Sequence, residues 1–176
     1  HTSVPHFKFG FGLNPLTKYE IGNMRIDVSN NSTNNKNHLR CPQNQSVITD
    51  RGVNEWNHKH DRDDLFRGDT NNTFTVSVRL FNVGDRDGDE VLMVYMVPME
   101  IPKSEPASKL KEQLIDFGRI HVEAGTSKDI DFVLNVQQTF ELANYMGTPT
   151  IFTGLYQIKV SNGMDYISTT LHVTNH

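Results

Sequence analysis

The chain concentrates its ligand-type side chains in one polar stretch: His38, Cys41, His58, His60, Asp61, Asp63 and Asp64. His58-Lys59-His60 would set two imidazoles on one face of an extended strand, because alternate residues of a strand share a face. Such a pair, with His38 in reach, is a workable ligand set for zinc or copper. The competing reading is a polar loop that happens to contain histidines, and it is the preferred one. His1 raises a separate possibility, since an amino-terminal His can chelate copper through its amine and ring, with His6 or another His completing the set.

A second group of oxygen ligands, Asp85, Asp87, Asp89 and Glu90, is too compact for an EF-hand, whose ligands span twelve positions ending in a bidentate Glu. Nor do adjacent carboxylates on a turn suit glycosidase chemistry, which needs two facing each other across a sugar at ~5–10 Å. This run reads as a solvated hairpin turn. Trp56, the single tryptophan, could stack on a sugar ring; a lone Trp in a long loop is more often the anchor that packs the loop onto a sheet. No Gly-rich phosphate cradle, nucleophile elbow or basic–aromatic pattern is present, so no catalytic residue and no cofactor is expected.

Composition limits the partners. A net charge of −4 argues against nucleic acid and membrane surfaces as general partners, and no apolar run approaches the ~20 residues of a membrane span. Asn30, Asn31, Asn44 and Asn71 each begin an Asn-x-Ser/Thr sequon in polar surroundings, which points to a secreted, extracellular glycoprotein. Cys41 is the only cysteine, so it is a free thiol or half of an intermolecular disulfide. The chain starts at His1, which reads as a processed product, a cut fragment or a trimmed piece.

The elements that must position these residues alternate with period two. Residues 1–16 form an aromatic and glycine-containing lead-in. Tyr19, Ile21, Met24, Ile26 and Val28 predict a first strand with a bulge at the slip near Gly22-Asn23. Residues 30–70 lose all periodicity and read as an insertion loop far above the usual loop length. Phe74, Val76, Val78 and Leu80 predict a half-buried strand, followed by an Asp87-Gly88 turn. Glu90 to Val97 is apolar on both faces, which predicts a central strand or one whose outer face is covered. Strands are expected around Phe117–Val122, Ile130–Leu134 and Thr150–Val160, a helical turn near Phe140, and a closing hairpin about Asn162-Gly163. About seven strands without a long helix make an all-β sandwich in a single domain, 1–176.

Four segments in register resemble the fibronectin type III-like domain at the carboxyl end of family 3 glycoside hydrolases, the β-glucosidase and β-xylosidase group. They are Phe7-Lys8-Phe9-Gly10-Phe11-Gly12-Leu13; Asn82-Val83-Gly84 through Gly88-Asp89-Glu90-Val91; Leu114 to Gly125, with Phe117 and Arg119; and Gly154-Leu155-Tyr156. The continuation Asn14-Pro15-Leu16 departs from the family, and so does the 30–70 insertion. The resemblance implies a fibronectin type III/immunoglobulin-like β-sandwich. It also implies a non-catalytic accessory domain whose partners are the catalytic domains of a parent glycosidase, the catalytic Asp and acid lying upstream of the lead-in. The alternatives are a stand-alone secreted interaction or signalling glycoprotein reusing the fold, partnered by another extracellular protein, and, below that, a carbohydrate-binding module with a glycan partner.

Overall fold

Alternation in the sequence becomes two facing sheets in the computed structural model, which describes residues 17–29 and 73–173. Strands β1 (Tyr19–Ser29), β2 (Thr73–Asn82) and β5 (Ser127–Asn135) form a three-stranded antiparallel sheet in the order β1-β2-β5. Strands β3 (Gly88–Glu100), β4 (Gln113–Val122), β8 (Gly154–Ser161) and β9 (Tyr166–Val173) form the other, in the order β4-β3-β8-β9. A small hairpin of β6 (Glu141–Ala143) and β7 (Pro149–Ile151) forms a ladder of its own, with Leu142 buried in the common core. The predicted all-β sandwich is what forms: seven strands in two sheets, plus the extra hairpin, among the described residues.

Each sheet buries one face. From β2 come Phe74, Val76, Val78 and Leu80; from β3 come Leu92, Val94 and Met96; from β8 come Tyr156, Ile158 and Val160, all within a single core. Burial of a side chain of this size is worth roughly 1.5–3 kcal/mol against its exposure. Between β5 and β6 the chain crosses from one sheet towards the other through a single turn of helix, α1 (Val136–Phe140). Asn135 caps that turn by accepting a hydrogen bond from the Gln138 N–H. Phe140 at its end packs between Phe74 and Tyr156, with ring centroids 5.7 and 5.1 Å away, so the crossover is fastened to both sheets.

The bulge expected in β1 lies between Gly22 and Arg25, where Asn23 adopts a positive φ of 53°. β4 carries a second irregularity: Asp116 pairs with Val94 and Leu114 with Tyr95, which leaves Ile115 as the extra residue. One expectation is corrected. Gly88 is not the turn residue of an Asp87-Gly88 hairpin but the first residue of β3. It is glycine because a Cβ there would lie 2.7 Å from the Tyr19 hydroxyl and 2.8 Å from Thr17 Cγ2.

Candidate functional site

The candidates Asn30, Asn31, His38, Cys41, Asn44, Trp56, His58, His60 and Asn71 lie outside the described residues, as does His1. Among the described residues no group of three or more His, Cys, Asp or Glu side chains is placed to hold a metal ion.

Within the acidic run from Asp85 to Glu90, Asp87 and Asp89 are bound into the structure. Asp87 Oδ1 accepts the Ala124 N–H at 2.8 Å, tying the β2–β3 connection to the turn after β4. Asp89 meets His121 Nδ1 at 2.6 Å and receives Arg119 at 2.8 Å. The hydrogen bond with His121, helped by the Arg119 charge, holds the Asp89 carboxyl below the usual carboxylate range. Burial pushes the Glu90 carboxyl upwards instead.

Behind this run sits Asn82, almost wholly buried, with every hydrogen-bonding group in use. Its Nδ2 donates to the carbonyls of Arg86 and Val122 at 2.8 and 2.9 Å, and its Oδ1 accepts the Gly84 N–H. Its own N–H donates to the Thr126 carbonyl, and its carbonyl accepts the Gly125 N–H. One side chain therefore locks two connections of the sandwich together. The Asn-x-Gly signal in the sequence marks this knot, although spacing alone could not show what it joins.

A comparable device stands near the start of β8. Tyr156 is fully buried and its hydroxyl donates to the Phe152 carbonyl at 2.8 Å, a tyrosine corner of the kind that fixes the entry to a sandwich strand. Burial pushes its pKa up to about 12. Two residues earlier, a Cβ on Gly154 would collide with the Glu100 carbonyl oxygen, so β3 and β8 approach as closely as they do only with glycine there.

The outer faces of the two sheets differ in chemistry. On the three-stranded sheet Arg79 makes a two-pronged contact with Asp129 at 2.6 and 2.8 Å, and Ser77 donates to Asp131 at 2.6 Å. The paired guanidinium lowers the Asp129 pKa, and the same pair raises that of Arg79. On the four-stranded sheet the outward residues of β3 and β4 include Val91, Met93 and Tyr95, with Phe117 opposite Met93 and Leu114 opposite Tyr95. Lys159 lies over the Tyr95 ring, 4.7 Å from its centroid, and pairs with Glu112.

No protein-family model matches the sequence, and no curated protein matches it. Solved structures do match. Over 97% of this chain and 20% of its own, the β-D-glucoside glucohydrolase of Trichoderma reesei superposes with a TM-score of 0.60 at 21% identity. A β-glucosidase from Listeria innocua gives 0.60 at 19% identity over 97% of this chain and 18% of its own. The GH3 β-glucosidase of Bifidobacterium adolescentis gives 0.59 at 18% identity, with 95% of this chain and 18% of its own covered. This is a fold found inside β-glucosidases. The chain spans only about a fifth of the length of the enzymes it matches, so their activity resides in a whole of which this fold is a small part.

Proposed function

We propose that the chain is a non-catalytic accessory domain of a secreted β-glycosidase, packing against catalytic domains of its parent and stabilising them. The observation that carries this reading is coverage. The match covers 90–97% of this chain but only 16–20% of the β-glucosidases. The use of Asp87, Asp89, Asp129 and Asp131 in structural bonds supports it, since a glycosidase needs two carboxyl groups free to face a sugar. Secretion rests on the sequons at Asn30, Asn31, Asn44 and Asn71.

The test is an assay of the isolated chain on aryl β-glucosides and β-xylosides. The expected result is no turnover above buffer. Turnover that co-purifies with the folded chain and disappears on its denaturation would overturn the non-catalytic reading. Intact mass of material from the natural source checks secretion separately, by hexose-containing additions at the sequons.

A further inference from the structure

Burying the core requires only one apolar face on each sheet. On the outward face of the three-stranded sheet Arg79 pairs with Asp129 and Ser77 with Asp131, and Val133 is a single exposed apolar residue among these polar ones. On the four-stranded sheet the β3–β4 half of the second face carries an apolar cluster, while the outward residues of β8 and β9, such as Gln157, Lys159, Ser168 and Thr170, are polar. Val91, Met93 and Tyr95 of β3 point away from the core, alternating with the buried Leu92, Val94 and Met96. Beside them on β4, Phe117 is 67% exposed and Leu114 48%. A solvated antiparallel face ordinarily alternates to polar residues. Central placement of β3 explains its inner face only.

The charges around this patch narrow its occupant. Arg119 is paired with Asp89, which also holds His121, and Lys159 is paired with Glu112. The border is thus matched within the domain and presents little attraction to a polyanion or an anionic lipid surface. Lys159 covers the Tyr95 ring, and its ammonium is also 5.7 Å from that of Tyr166, so neither ring is a bare stacking platform for a sugar. An apolar centre with a self-paired polar rim is the anatomy of a protein–protein contact.

We propose that the outer β3–β4 face, centred on Phe117 with Leu114, Val91 and Met93, is where the sandwich docks on a second folded domain of its own polypeptide. This rests on the accessory-domain reading. The hairpin tip with Tyr145 and Met146 is also exposed, but it belongs to the β6–β7 ladder rather than to either sheet.

The experiment uses the polypeptide as encoded, with three changes made separately: Phe117→Asp, Val133→Asp as a control on the outer face of the other sheet, and deletion of residues 17–173. The readouts are thermal inactivation of glycosidase activity and limited proteolysis. Phe117→Asp is expected to lower the inactivation temperature towards that of the deletion and to speed cleavage, with Val133→Asp unchanged. The isolated chain bearing Phe117→Asp should keep its own Tm, which separates lost docking from lost folding. Uncoupling by Val133→Asp and not by Phe117→Asp would overturn the choice of face while the accessory reading stands. A deletion without effect would defeat the accessory reading and this proposal together. Concentration-dependent dimerisation of the isolated chain, abolished by Phe117→Asp, would make the occupant a second copy and overturn the proposal.

Discussion

At the scale of single residues, buried polar groups decide the local structure, and their worth shows in what their removal leaves behind. Asn82→Ala would strand the Gly84 N–H and the carbonyls of Arg86 and Val122. The bond to Val122 is buried and the other two are partly so; a buried group left unpaired costs about 1–3 kcal/mol, and a loss in that range is expected in urea unfolding. Asn82→Asp should be nearly as damaging, because it keeps the acceptor and loses both donated bonds. Tyr156 gives a pH-dependent effect. Its folded pKa of about 12 lies above the ordinary tyrosine value of 10, so the folded state holds the phenol proton more tightly than the unfolded chain does. The stabilisation is therefore complete below pH 10 and is lost as pH rises from 10 to about 12, by roughly 3 kcal/mol in all. Tyr156→Phe should lower stability at pH 7 by about 1–2 kcal/mol and flatten the alkaline decline; unfolding curves between pH 8 and 12 check both.

At the scale of elements, close approach sets which substitutions the sandwich tolerates. Gly154→Ala drives a methyl group into the Glu100 carbonyl and must part β8 from β3, with an expected loss of several kcal/mol or failure to fold. Gly88→Ala meets two side chains instead, Tyr19 and Thr17, and should be milder. The Tyr19 hydroxyl is buried without a hydrogen-bond partner among the described residues, so Tyr19→Phe should be neutral or stabilising. In that background the cost of Gly88→Ala should shrink but not vanish, because Thr17 remains; a double-mutant cycle measures the difference. The strands themselves were legible. Phe74, Val76, Val78 and Leu80 alternate without a break, and all four are buried. Reading failed where tertiary contact overrides local pattern. Asp87-Gly88 looks like a turn, yet Gly88 is demanded by Tyr19 on another strand. Across the β4 bulge the parity changes, so Leu114 and Phe117 both point outward despite their odd spacing, and simple alternation conceals the exposed face they form. The metal, glycan and disulfide candidates fall in a stretch with no period at all, where sequence offers residue types without geometry.

At the scale of the whole molecule, the sandwich closes its core with residues far apart in the chain, and the 30–70 insertion interrupts β1 and β2 at an informative place. Ser29 pairs directly with Thr73 in the antiparallel ladder, so the two ends of that insertion are neighbours across one strand spacing. A two-residue Asn-Gly turn can join strands so placed. Replacing residues 30–72 by Asn-Gly should therefore leave the two sheets and their core intact. By loop-closure entropy alone, this shortening amounts to more than four halvings of loop length at about 0.6 kcal/mol each and should raise stability by roughly 2–3 kcal/mol. A large fall in Tm would mean instead that the insertion contributes buried contacts, as expected if Trp56 anchors it to a sheet. Trp56→Ala in the intact chain separates the two cases. With an anchor, Trp56→Ala reproduces most of the fall, in the range of about 3–5 kcal/mol for removal of a buried aromatic; without one, thermal unfolding leaves it indistinguishable from the parent chain.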